Sequence, residues 1–492
     1  MAKSYEELVG SVGRAMFFRP ERTRVRDLVS REARPVIVSD RGEFPVYDLS
    51  MNGLSFLAGG ANGSLGFEPG GELDLALELY GRRVYQGRAR IARVESGARR
   101  TRVCVGLVTG FIDLPEIGRQ DAEEQLRREL ARGSDPFAEE IPRDYLEAVC
   151  RAARFVQFHR HSLGRHETRY KSQGAGARRA IEDLTHRAAE ALRAPWTELR
   201  LAACAAASRS LTNPDAWSAA KEYTEAILTP LLLDCPCVRR SYDKPLGYPG
   251  DYRVMIHCYN DAFEGDSVFA RVFHKLWIEH PSPAGVRTRT RFAVELIDAD
   301  LGRSAALTDP AATFRVTSLG CGPAREVPWL IQRRGAWAGR LLWTLIDQDD
   351  EALSFAYNES QPVLAASGSQ GSIQCLNVSF TQLLQDAGLV PVTEEQDVIL
   401  ATGLFDYLGD AAARDLVRGL YDRLRPGGLL VVGNAVGPNQ DYWSPEFVLD
   451  WSMIYRTADQ LRAMAAKLPP EAEAEVRLEP GQAYYMLIVR RH

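Results

Sequence analysis

A chain of 492 residues is too long for one ordinary hydrophobic core and points to about two to four domains. Its composition, 45% hydrophobic and 25% charged, is that of a globular protein, and a net charge of -5 argues against a nucleic-acid-coating role, which calls for a basic surface. No apolar run approaches the roughly 18–20 residues that span a bilayer, and the opening MAKSYEELVGSVGRAMF lacks a secretory h-region, so a cytoplasmic location is expected.

Residues 34–109 read as strands. Short runs such as RPVIVS, FPVYDLS, GLSFLA and RVCVGLV are punctuated by Gly, Asp and Asn, and ELDLALEL alternates polar and apolar residues as a half-buried strand does. This spacing predicts a small β-barrel or sandwich. From about 120 to 300 the chain is rich in Ala, Glu, Arg and Leu, and DYLEAVCRAARFVQF and ARRAIEDLTHRAAEALRA carry helical periodicity, with proline-bearing breaks at 213–214 and 229–230. One insertion, SYDKPLGYPGDY at 241–252, is unusual for a helix linker. From about 313 strands and helices alternate (FRVTSLG, AREVPWLIQRR, LLWTLID, EALSFAYNES, QDVILATGLFDYL, AARDLVRGLYDRL, GGLLVVGN), which implies a parallel sheet covered on both faces. The last two runs, AEVRLEP and YYMLIVRR, meet through Gly481 with no room for a crossover helix and predict an antiparallel hairpin. The expected organisation is multidomain: a small β-barrel at 1–115, a helical linker or lid region at 116–300, and a Rossmann-like α/β sheet with a closing antiparallel hairpin at 301–492.

Eight cysteines are spread thinly. Cys235 and Cys237 in DCPC are the only close pair, with no matching His or Cys cluster nearby, so reduced thiols and no metal are expected, zinc at DCPC being the lesser alternative.

The segment VTSLGCGPAREV, 316–327, reads as a strand ending at Leu319, a glycine turn, and a helix starting near Ala324. Gly320 and Gly322 lack a Cβ and let a ligand approach the backbone, while Pro323 suits an early helix position. Asp347 ends the next strand, where a carboxylate can accept from both ribose hydroxyls. A fourth strand with an aromatic exit, DVILATGLFDYL, and the turn LRPGGLLVV follow. With the hairpin, this series resembles the class I S-adenosylmethionine-dependent methyltransferase fold. The resemblance implies that the turn with Gly320, Cys321 and Gly322 lies under the methionine part of the cofactor, that Asp347 holds the ribose, and that Asn377 contacts adenine. Two positions depart from the family pattern: Ser318 stands where an acidic residue is usual, and Ala324 replaces a third glycine. A nicotinamide dehydrogenase is the rival reading, disfavoured by the hairpin and by the poor GxGxA fingerprint.

KPLGYPGDY at 244–252 is either a turn cluster packed on the sheet or a lid placing Tyr248, Asp251 and Tyr252 over the site. VRTRTRF at 286–292 holds Arg287, Arg289 and Arg291; on a helix Arg287 and Arg291 share a face and either bind a substrate carboxylate or face solvent. The combination of KPLGYPGDY, SLGCGPAREV and LDWSMIYRT (449–457) resembles bacterial 3-hydroxypalmitic acid methyl ester ("extracellular factor") biosynthesis methyltransferases over about 200–492. That resemblance implies methyl transfer to a small molecule or fatty-acid carboxylate. Such chemistry needs mainly alignment and exclusion of water. Candidate aligners are Tyr248, Asp406, Tyr407 and Asn434, and Tyr442, Trp443, Phe447 and Trp451 are candidates to wall an apolar pocket or to serve as ordinary core.

The N-terminal region carries Arg22 and Arg26, four apart, and then Asp48, Ser50 and Gly53 in DLSMNG. RxxxR followed by [DN]xSxxG resembles the PilZ domain, a bacterial receptor for cyclic di-GMP, over about 20–115. Arginine pairs with phosphate, hydrogen-bonds guanine and stacks on it; Asp48 accepts guanine N–H groups. The sequence thus reads as a methyltransferase tuned by cyclic di-GMP. A cyclic di-GMP adaptor with a silent methyltransferase-like domain is the alternative, and protein methylation a third.

Overall fold

The computed structural model describes residues 23–30, 33–59, 67–96, 100–132, 137, 140–172, 176–335, 337–378, 395–437 and 441–492. They form two compact units, Phe17–Pro136 and Phe137–His492.

In the first unit, β1 (Thr23–Arg24), β2 (Val36–Ser39), β3 (Gly42–Ser50), β4 (Gly53–Gly59), β5 (Glu72–Leu79), β6 (Arg82–Ser96) and β7 (Arg100–Leu107) follow in chain order. The sheet runs β1-β3-β2-β5-β6-β7-β4, and β4 pairs back onto β3, so six antiparallel strands close into a barrel as expected. Closure removes the exposed edges that an open sheet would present. The alternation read in ELDLALEL is real: Leu73, Leu75, Leu77 and Leu79 are all buried in the barrel core. Phe44, Phe56 and Phe67 pack there with ring centroids 5.2 to 5.6 Å apart. β5 turns into β6 through Tyr80 and Gly81, both left-handed (φ 53 and 72), the two-residue turn whose twist matches the strands. The Tyr80 hydroxyl bonds to Asp121 on α1 (Leu114–Arg132). Asp121 also accepts from the Ser30 backbone N–H at 2.7 Å and the Ser30 hydroxyl at 2.9 Å. These bonds bind α1 to the barrel, which is why the unit runs past the boundary expected at 115.

In the second unit the helical region and the α/β sheet are one body rather than two. Its helices are α2 (Arg143–Lys171), α3 (Ala177–Ser210), α4 (Pro214–Ile227), α5 (Pro236–Asp243), α6 (Tyr252–Asn260), α7 (Val268–Ile278) and α8 (Pro281–Arg303). Asn213 accepts from the Ala216 N–H at 2.7 Å and Pro214 takes the first turn, so the predicted break is a capped helix start. Then come β8 (Thr313–Leu319), α9 (Glu326–Arg334), β9 (Arg340–Asp347), α10 (Asp350–Ala366), β10 (Gln370–Asn377), β11 (Gln396–Ala401), α11 (Asp410–Tyr421), β12 (Leu424–Ala435), β13 (Glu473–Leu478) and β14 (Tyr484–Arg490). The sheet order is β10-β9-β8-β11-β12-β14-β13. β8 to β12 pair in parallel, and β14 is antiparallel to both β12 and β13. This is the mostly parallel sheet with a closing antiparallel hairpin that the alternating pattern predicts. No helix among the described residues is long and apolar enough to cross a membrane.

Helix α8 meets the hairpin at Gly285, where an added Cβ would come within 2.6 Å of both Ala483 and the Tyr484 ring. Gly285→Ala therefore overpacks this contact by about 1–3 kcal/mol, more than the roughly 1 kcal/mol that helix propensity returns. Thermal unfolding should shift downward; an unchanged or higher midpoint would show that the contact yields freely.

Candidate functional site

β8 and β9 grow toward one edge of the sheet and β11 and β12 toward the other, so the crevice beyond the carboxyl ends of β8 and β11 is the topological switch point. A cavity of about 500 Å³ opens there, within the range of ligand pockets. Its lining includes Gly320, Cys321, Gly322, Asp347, Asp406, Tyr407 and Tyr248 from the expected residues.

Gly320 and Gly322 are left-handed (φ 63 and 51), and a Cβ at Gly322 would meet nothing, so the turn faces open space. The Gly322 N–H donates to Asp347 Oδ2 at 2.8 Å and the Asp349 N–H to Oδ1 at 3.1 Å. Burial nevertheless pushes the Asp347 carboxyl up to about 6, against those two amides. The helix does not begin at Ala324. Ala324 is itself left-handed (φ 46), Pro323 precedes that bend, and α9 starts at Glu326. Glu326 was not singled out in the sequence, yet it lines the cavity and its carboxylate accepts from the Ser318 hydroxyl at 2.8 Å, while Trp343 Nε1 donates to Ser318 at 3.0 Å. A carboxylate therefore stands beside the motif position that Ser318 vacates. Burial raises its pKa.

Asp406 is buried; its Oδ1 accepts from the Ala435 N–H at 2.6 Å, and burial raises its pKa while Arg289 opposes the rise. Tyr407 accepts from Trp451 Nε1 at 2.9 Å. Tyr248 has its phenol pKa raised by burial and by Asp347 and Asp349, so it remains a donor. Asn434 does not line the cavity. Its amide donates to the Ile454 carbonyl at 2.9 Å and accepts from Arg456 at 2.5 Å, so it anchors β12 rather than aligning a substrate. Asn377 pairs across from Asp347 at the strand end but is exposed and absent from the lining described.

The arginines sort differently from the helical-face expectation. Arg287 donates to the Cys258 carbonyl at 2.6 Å, and Arg291 lies over Trp329 at 5.4 Å. Arg289 is the one that lines the cavity. Its side chain is 9% exposed, its Nε has no hydrogen-bond partner, and its nearest charge, Asp406, is 3.9 Å away. The guanidinium lies 4.3 Å from the Tyr484 ring centroid. His280 also lines the cavity; its Nδ1 accepts from the Ser282 N–H at 3.2 Å, capping α8, and its Nε2 lies 3.2 Å from Asp441.

KPLGYPGDY is a pinned wall. Lys244 donates to the Asp450 carbonyl at 2.8 Å, Asp251 caps α6 and pairs with Arg240 at 2.7 Å, and the Tyr252 hydroxyl donates to Glu351 at 2.9 Å. Of the four aromatic candidates at 442–451, Trp451 alone lines the cavity. Trp443 and Phe447 are core of the helical region, Trp443 Nε1 donating to Tyr145 at 2.9 Å, and Tyr442 stacks on Trp217.

In the barrel, β1 pairs with β3 so that Arg24 stands across from Asp48, laying the arginine-bearing segment along the strand of the second motif. Arg22 and the Arg26 side chain lie outside the described residues. Asp48 accepts from the Ser55 hydroxyl at 2.8 Å and pairs with Arg102; the Ser50 hydroxyl donates to the Gly53 carbonyl at 2.9 Å, closing the β3–β4 turn.

No protein-family model matches this chain, and no curated protein matches it. Among solved structures it is similar to a possible exported protein from Bordetella parapertussis, at 20% identity over 49% of this chain and 79% of that one, TM-score 0.36. It is also similar to N-methyltransferase NodS from Bradyrhizobium japonicum WM9 in complex with S-adenosyl-L-homocysteine (17%; 42% and 87%; TM-score 0.28). A third is magnesium protoporphyrin IX methyltransferase from Synechocystis PCC 6803 with bound S-adenosylmethionine (12%; 52% and 97%; TM-score 0.33).

At Gly250 an added Cβ would stand 2.6 Å from the Trp451 indole. Gly250→Ala should displace the indole and lower stability by about 1–3 kcal/mol. Trp451 fluorescence in a Trp-depleted background would report the shift, and an unperturbed spectrum with wild-type stability would contradict this packing.

Proposed function

We propose that the larger unit is an S-adenosylmethionine-dependent methyltransferase acting on a small carboxylate, best a 3-hydroxy fatty acid, to give a methyl ester. The observation that carries it is the cavity at the sheet's switch point, which joins an open glycine turn, a buried carboxylate on β9 and a buried arginine whose Nε has no hydrogen bond. When bound, S-adenosylmethionine supplies an already activated methyl group. The residues present fit it: the turn at 320–322 leaves room for its methionine part, and Asp347 can accept from the ribose hydroxyls. The carboxylates of Asp347, Glu326 and Asp406 make the cavity hospitable to a ligand bearing positive charges.

Arg289 would hold the acceptor carboxylate by charge-assisted hydrogen bonds. A carboxylate needs no base near pH 7, so Tyr248 and Tyr407 act as positioning donors, and Met255, Trp277, Val286 and Leu449 exclude water. Because the acceptor is already an anion, no residue of the cavity would have to take a proton from it, and Arg289, Tyr248 and Tyr407 would serve to hold it in place. Glu326 weighs against the silent-domain alternative, because the acidic function absent at Ser318 is present in space.

For the barrel we infer a cyclic di-GMP receptor that tunes this activity. The β1–β3 pairing, which sets Arg24 opposite Asp48, supports it, and Asp48 would exchange its contact with Arg102 for guanine.

Because the ribose hydroxyls need an ionised acceptor, cofactor affinity should be flat above pH 7 and fall about tenfold per unit below the Asp347 value of about 6. Asp347→Ala should weaken binding by about 10–100-fold and abolish that pH dependence in calorimetry between pH 5 and 8. Normal affinity in this variant would remove Asp347 from the site.

The decisive assay is transfer of labelled methyl to an organic-extractable product with 3-hydroxy fatty acids, with and without cyclic di-GMP. Arg289→Gln should raise KM for the acid by about 10–100-fold and leave cofactor affinity nearly unchanged. A loss confined to cofactor affinity would instead place Arg289 on the cofactor's carboxylate, and no label under any condition would overturn the fatty-acid reading.

A further inference from the structure

Away from the cavity, α6, α7 and the loop between them gather His257, Glu264 and His274, whose ligand atoms all lie within 4.8 Å of one another. His257 Nδ1 is 2.6 Å from Glu264 Oε2, and Asn260 donates to Glu264 Oε1 at 3.4 Å. That bond accounts for His257 and Glu264. Nothing accounts for His274. It is 0% exposed, its ring stands 5.3 Å from that of His257 at 78°, and neither of its nitrogens has a hydrogen-bond partner. An imidazole carries one donor and one acceptor, and burying both unpaired is unfavourable, whereas an apolar side chain would pack there without that penalty. Native proteins rarely leave such a group without a reason.

We propose that His257, Glu264 and His274 bind a divalent transition-metal ion, zinc by preference, that ties α6 to α7. Two imidazoles and one carboxylate are the nitrogen–oxygen set such ions take, with a fourth position left for water. The His257 and Glu264 side chains, 18% and 27% exposed, give an ion its way in. Lys275 lies close, but its ammonium is held by the Asp261 carbonyl at 2.8 Å and carboxylate at 2.7 Å. Ligand atoms around tetrahedral zinc stand about 3.3 Å apart at bonds of about 2.0–2.1 Å, a contraction that side-chain rotation supplies.

The role is structural. None of the three residues lines the cavity, but their neighbours Met255, Cys258 and Tyr259 on α6 and Trp277 on α7 do. The ion would fix the wall on which those side chains stand. A cysteine-based search of the sequence misses this site because it holds no cysteine.

The test uses the full chain, stripped with a chelator. Zinc titration by calorimetry should show one tight equivalent and a higher melting temperature, and cobalt should give the visible absorption of a low-coordinate nitrogen–oxygen site. His257→Gln and Glu264→Gln, both partly exposed, should each weaken zinc binding by more than about tenfold, the loss seen even for outer partners of a metal. His274→Leu should bind no zinc yet melt at or above the metal-free wild type; if it does not fold, the two glutamine variants still decide. Absence of a tight equivalent, or tight binding unchanged in both glutamine variants, overturns the proposal.

Discussion

The larger unit is governed by a constraint of sheet topology. Successive parallel strands grow from β8 toward one edge and then, from β11, toward the other. Crossovers on opposite sides cannot fill the space above the reversal, so a crevice opens at the carboxyl ends of these two strands. Strand ends deliver Gly320 after β8, Asp347 at the end of β9 and Asp406 after β11, while Arg289 comes from α8, Glu326 from α9 and Tyr248 from the loop between α5 and α6. The helical region supplies the roof through α6, α8 and the pinned loop between α5 and α6, which is why it belongs to the same compact body as the sheet.

Two buried arginines show how the molecule treats charge. Arg456 donates to the Phe405 carbonyl at 2.9 Å, to Asn434 at 2.5 Å, to the Leu408 carbonyl and to Asp410 at 2.9 Å. It is a satisfied cation that locks the exit of β11 to the end of β12, and this explains the arginine of LDWSMIYRT without any ligand. Arg289 is buried nearly as deeply, and its Nε has no hydrogen bond. For stability alone an apolar side chain of similar volume would serve better in that place. Arg456 is saturated by hydrogen bonds, whereas Arg289 has Asp406 at 3.9 Å and the Tyr484 ring centroid at 4.3 Å and lines the cavity.

The periodicities carried most of the architecture: the barrel strands, the long helices, the alternating units and the final hairpin all follow from local pattern and turn chemistry. What the pattern could not give was direction in space. Arg287 and Arg291 share a helical face, yet the cavity lies on the face of Arg289, because which side of α8 meets the sheet depends on Gly285 seating against the hairpin. Asn434 stands near the end of β12, where a substrate contact is expected, but its amide is engaged by Ile454 and Arg456, residues 20 and 22 positions away that no local reading pairs with it. Glu326 escaped notice because its distance in sequence from Ser318 becomes a hydrogen bond only once the chain has turned through 320–325.

That turn also explains the other departure from the glycine pattern. Ala324 is fully buried and holds φ 46, the conformation a glycine adopts freely and an alanine only at a cost of about 1–2 kcal/mol. The backbone path is thus retained although the residue that makes it easy is not. The Ala324 N–H donates to the Cys321 carbonyl at 3.0 Å and the Val327 N–H to the Ala324 carbonyl at 3.1 Å, so the bend is held from both sides. Its methyl group packs in the core formed by β8, α8 and α9. Strain kept at a buried turn that aims a backbone N–H at Asp347 and swings Glu326 back to Ser318 is strain tied to the geometry of the cavity, since relaxing it would move both carboxylates.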